Sequence, residues 1–171
     1  MEFKEYMIKK EKSAKEKLLS VLCYLAAAVL SMIILPFSAT PPFGSFILLI
    51  VVGLFYFAHI LSGRLNKEFE YIFTADNIDI DVIMNKSKRK RLITFTIAQI
   101  EIMASFRDAT YNSIAKGQFD KVVDATSGKA DANVYFVVVD KNGRTLVKFE
   151  PNYSVVESLN KVARSKVHIY E

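Results

Sequence analysis

The side chains able to do chemistry in this chain are few and scattered. Asp79-Ile80-Asp81 sets two carboxylates at the spacing of the paired acids that hold metal ions in transferases. Strand alternation sends both to the face opposite Ile78, Ile80 and Val82, so they are expected on the solvent face of a hairpin rather than around a metal. Lys86, Lys88, Arg89, Lys90 and Arg91 put five cations into six positions. Beside an anionic membrane each such side chain contributes about 1 kcal/mol of attraction. The same run also reads as a solvated turn whose charges protect a sheet edge. No aromatic side chain interleaves with these cations to stack bases, so nucleic acid is not an expected partner.

His59 lies in an uncharged stretch without an acidic partner, and His168 has no second histidine or cysteine nearby. A single cysteine, Cys23, excludes an intramolecular disulfide and a cysteine-based zinc cluster. No phosphate loop, nucleophile motif or acid–base pair stands out. The expectation is a protein that is not an enzyme, with no catalytic residue, metal site or cofactor.

The elements that must position these residues divide sharply. Leu18 to Gly63 runs for 46 positions without Lys, Arg, Asp or Glu, broken into two apolar segments by Ser38-Ala39-Thr40-Pro41-Pro42. Residues 18–37 and 43–61 each span roughly 30 Å as a helix, the thickness of a bilayer's hydrocarbon core. Two antiparallel membrane-spanning helices are therefore expected. Cys23, Ala27 and Ser31 recur every four residues as a stripe of small side chains, with Gly53 as the facing position on the second helix, and the same stripe offers a seam for a homo-oligomer. Residues 1–17 carry six Lys against four Glu, and Arg64 and Lys67 follow the second segment, while the link has no charge. Lys and Arg concentrate on the cytoplasmic side, so both termini are expected there, with residues 1–17 as a basic helix at the membrane surface bearing Phe3, Tyr6 and Met7.

The formal net charge is +5, too little and too dispersed for a nucleic-acid-binding domain. Residues 64–171 suffice for one small domain. Phe69, Tyr71 and Phe73, then Ile78, Ile80 and Val82, alternate with acids about an Ala75-Asp76-Asn77 turn, and further strands are expected at 92–96 and 97–103. Residues 105–132 read as an irregular excursion in which only Lys121-Val122-Val123 has a strand's character. Val134 to Val139 is apolar on both faces, which suits a covered central strand. Asn142-Gly143 marks a hairpin before residues 145–150, and Val155, Val156, Leu159, Val162 and Ala163 then share one helical face after Pro151.

This order of strands closed by one amphipathic helix resembles a bacterial pleckstrin-homology-like (PH-like) domain, an α+β fold with a bent antiparallel sheet or barrel capped by its C-terminal helix. The whole chain resembles a family of small clostridial-type membrane proteins with two transmembrane helices and a domain of unknown function. The likeness is carried by Glu70-Tyr71-Ile72-Phe73-Thr74 with Asp79-Ile80-Asp81, by Lys88-Arg89-Lys90-Arg91, by Phe149-Glu150-Pro151 and by Arg164-Ser165-Lys166-Val167. It implies a fold and a location, not an activity. The expected role is presentation of the domain at the cytoplasmic face to a protein partner, with contact to anionic membrane lipids. The alternative is an accessory subunit of a transporter or envelope enzyme, docking through the helical hairpin.

Overall fold

A computed structural model of the chain describes residues 4–39, 42 and 44–169. Phe3, and residues 40 and 41 of the expected link, lie outside the described residues. The chain divides into two compact units, residues 12–66 and the remainder.

The first unit is a helical pair. Ser13 caps α1 (Ala14–Ile34) through a reciprocal pair of bonds: its hydroxyl accepts from the Glu16 N–H and the Glu16 carboxylate accepts from the Ser13 N–H. The helix thus begins four residues before the uncharged stretch does. A 3-10 turn, Leu35–Ala39, leads towards α2 (Gly44–Gly63). Gly44 sits so close to the turn that a Cβ there would clash with the Ser38 carbonyl oxygen. Both helices are long and apolar enough to cross a membrane. Most of their large side chains are exposed and none is buried; the buried positions are Ala27 and Ser31 on α1 and Ala58, Ser62 and Gly63 on α2.

The second unit contains two sheets around one core. β1 (Lys4–Lys9), β2 (Lys67–Phe73), β3 (Asn77–Met84) and β4 (Lys88–Thr96) form an antiparallel meander in that order. The residues expected as a helix on the membrane surface are therefore a sheet strand from Lys4 to Lys9. Tyr6 and Ile8 turn towards the core while Glu5, Met7 and Lys9 face out, and Lys4 Nζ donates to Ser154 O and Ser158 Oγ of the closing helix. The helical pair is consequently inserted between two adjacent strands.

The second sheet has β5 (Ile100–Ser105), β6 (Lys121–Asp124), β7 (Tyr135–Asp140), β8 (Arg144–Phe149) and β9 (Val167–His168) in the order β6-β8-β7-β5-β9. Asn142 and Gly143 take positive φ angles of 55° and 120° in the β7–β8 turn, as an Asn-Gly pair permits. β7 is central and covered on both sides. On its inner face Tyr135, Val137 and Val139 join the core with the closing helix, Tyr153–Val162; on its outer face Phe136 and Val138 pack under Phe106, Tyr111, Ile114 and Phe119. The excursion is thus the cover of the second sheet, built of a short α3 (Ala109–Asn112), a 3-10 turn and β6, which pairs parallel to β8. The closing helix, α4 (Tyr153–Val162), is capped by the Asn152 side chain and buries Val155, Val156 and Leu159. This is the α+β, PH-like architecture expected from the sequence.

Candidate functional site

The basic run is not one patch. The loop joining β3 to β4 contains only Asn85, Lys86 and Ser87, with positive φ at Asn85 and Lys86, and Lys88 already pairs with Met84. Residues 88–91 are therefore the start of a strand, whose alternation sends Lys88 and Lys90 to one face and Arg89 and Arg91 to the other. The sequence reading of a single basic turn is corrected accordingly.

Arg89 and Arg91 are committed to acids. Arg89 Nη2 bonds Glu70 Oε1 at 2.7 Å, and Arg91 bonds Asp81 and, through Nη1, Asp79 Oδ1 at 2.7 Å. Asp79 and Asp81 do share a face, as alternation requires, but Asp81 is buried with 2% of its side chain exposed. Glu70 is equally buried and stands directly opposite Asp81 in the β2–β3 ladder. Two facing carboxylates repel, and the two guanidiniums offset that repulsion. Burial pushes the Glu70 carboxyl above its usual value, a hydrogen bond with Glu5 pushes the same way, and Arg89 opposes both. No group of acids, histidines or cysteines among the described residues is arranged to hold a metal ion.

Lys86, Lys88 and Lys90 are exposed at this end of the sheet, as are Lys9 and the two arginines. Antiparallel pairing places the end of β1, the start of β2, the end of β3 and the start of β4 together, through Lys9 with Glu68, Lys67 with Met84 and Met84 with Lys88. The chain leaves for the helical pair and returns from it at this same end. Between β1–β4 and the segment after β6 a cleft opens there, with Lys10, Lys67 and Lys90 on its rim. Neither Lys10 nor Lys67 stood out in the sequence as part of a site, because only the register brings them beside Lys90.

On the helical pair, Ala27 and Ser31 are buried and the Ser31 hydroxyl donates to Ala27 O at 2.7 Å, while Cys23 is half-buried. Gly53 is exposed, and a Cβ there would meet nothing within 4 Å; the buried small residues of α2 are Ala58, Ser62 and Gly63. His59 does have a partner, Tyr24, whose hydroxyl lies 3.2 Å from His59 Nδ1. His168 stacks on Tyr111 with ring centroids 4.1 Å apart.

No curated protein and no solved structure matches the chain. A family model described as Bacterial PH-like domain (DUF6106) matches it over residues 2–169, running through the apolar helices as well as both sheets. With β1 on one side of those helices and β2 on the other, a match of that extent takes in the domain and its insertion together, and the chain belongs to the bacterial PH-like domain family.

Proposed function

We propose that this is a non-enzymatic membrane protein whose helical hairpin holds a PH-like domain at the cytoplasmic face, where the domain binds a protein partner and its lysine-bearing end contacts anionic lipid. One observation carries the reading. The apolar hairpin is inserted between adjacent strands β1 and β2, at the sheet end that also carries Lys86 and Lys88. Apolar side chains exposed along both helices, such as Leu25 and Met32 on α1 and Leu49 and Val52 on α2, favour lipid over water as their solvent. The Lys-rich approach to α1 and the Arg64 and Lys67 after α2 favour a cytoplasmic domain.

The test uses the full chain in nanodiscs of phosphatidylcholine alone or with phosphatidylglycerol. Amide hydrogen exchange across residues 84–90 should slow with the anionic lipid, and Lys86→Glu with Lys88→Glu should abolish the difference. Equal exchange in both lipids sinks the lipid contact, and recovery of the protein from cells in the supernatant after ultracentrifugation sinks the membrane anchoring. Mild-detergent purification after in-cell cross-linking addresses the partner: a stoichiometric polytopic protein cross-linked to α1 or α2 would replace this reading with the accessory-subunit one.

A further inference from the structure

Strands β4 and β6 are edges of the two sheets, and no ladder joins them. Among the described residues β4 pairs with β3 alone and β6 with β8 alone. An edge strand turns the N–H and C=O of alternate residues away from its one neighbour, so both strands present open backbone groups. On β4 the open stretch ends at Thr94, whose carbonyl oxygen accepts from Lys141 Nζ at 2.8 Å. Before that point a groove of about 420 Å³ separates the two edges, with residues 90–92 on one wall and 121–124 on the other. It opens into the cleft floored by Phe69, Val82 and Met84, because Lys90, Leu92 and Asp124 line both spaces.

Backbone, apolar surface and charge together select the occupant of this groove. Donors and acceptors repeating along both walls are satisfied by another extended polypeptide, which carries the same groups at the same repeat. Leu92 is half-buried and has no partner across the β3–β4 ladder, whose register shifts between Ile80 and Asp81, and Val122 on the opposite wall is 55% exposed. A strand with apolar side chains at alternate positions covers such residues. Lys90 and Lys121 are exposed, and neither side chain has a hydrogen bond or ion pair among the described residues. Arg91 is held by Asp79 and Asp81, and the Asp124 carboxylate accepts from Thr126 N at 3.1 Å and Thr126 Oγ1 at 2.7 Å in its own loop. Two unpaired cations facing each other across the groove favour acids in the incoming strand. They also reject a second copy of this chain, whose β4 would bring residues 88–91 against the same basic run. The geometry points to a strand-addition site between β4 and β6 for an acidic, extended segment of a protein partner. The inference rests on the proposed binding of a protein by the domain and supplies its surface and the partner's chemistry.

The experiment pans the full chain, in phosphatidylcholine nanodiscs, against a phage-displayed library of random dodecapeptides, with empty nanodiscs removing binders of lipid and scaffold. The enriched peptides should carry acids alternating with apolar residues, and no proline within that run, because proline has no N–H to pair. The most enriched sequence, synthesised, should slow amide hydrogen exchange at residues 88–92, at 121–124 or at both. Lys90→Glu with Lys121→Glu should weaken that peptide about tenfold and, when the variant is panned afresh, select basic residues in place of the acids. Leu92→Trp, which fills the groove, should remove binding; if it lowers the melting temperature, the charge reversal at two exposed positions decides. No enrichment over empty nanodiscs, enriched peptides without acids, affinity indifferent to the charge reversal, or unchanged exchange in both strands overturns the site. The broader reading of a protein partner is judged separately by the in-cell cross-links, which report a partner held on any face of the domain. A partner cross-linked elsewhere, with no peptide selected for the groove, overturns this site and leaves that reading standing.

Discussion

At Glu70, burial and the neighbouring Glu5 carboxyl both favour the protonated form, and Arg89 opposes them. A carboxyl whose pKa is raised on folding stabilises the fold below its unfolded value of 4.5, and that contribution is lost as pH rises through the folded value. Glu70→Gln keeps an acceptor for Arg89 and gains a permanent donor towards Glu5. Its melting temperature should exceed the wild-type value by a few degrees at pH 7, and the gain should vanish near pH 4; scanning calorimetry in detergent at both values checks the sign. Part of this site was legible in the sequence. Alternation correctly put Asp79 and Asp81 on one face, but the face is an ion-paired layer, because Arg89 and Arg91 are strand residues. Four successive basic residues have little intrinsic preference for a strand, and only the ladder with β3 imposes it.

Strand β1 shows the same limit for an element. Its alternation, Tyr6 and Ile8 inward against Glu5, Met7 and Lys9 outward, is present in the sequence, yet its partner β2 lies 58 residues on from Lys9 to Lys67 with the apolar stretch between. Nothing local connects them. Ile8→Ala should cost about 2 kcal/mol, since Ile8 packs in the core. Met7→Ala, at a position 54% exposed, should be nearly neutral. Denaturant unfolding in micelles that gave equal losses at both would contradict the assignment of β1 to the sheet. The hairpins at 69–82 and 135–149 were readable because their turns are short and their periods clear. The cover from Phe106 to Phe119 was not, because its apolar residues sit in turns too brief to establish any period.

For the whole molecule, each of the two units has its own set of internal contacts, and the helices of one are long and apolar enough to cross a membrane. Lys10 N already bonds Lys67 O, so the strands flanking the insertion arrive in register. Replacing residues 12–66 with a short Gly-rich loop should therefore yield a soluble protein that keeps both sheets. Cooperative unfolding and a dispersed amide spectrum are the expected signs; an aggregated or molten product would mean that the helices support the sheet.

The insertion also fixes an order of events during synthesis. The residues of β1 leave the ribosome before those of their neighbour β2, which emerge only after both apolar helices have been made. If those helices enter the bilayer as they are translated, the opening strand must wait, unpaired, until the hairpin is delivered. A folded domain is then a record that delivery has been completed, and a nascent chain stalled within α2 would have its β1 segment still open to protease.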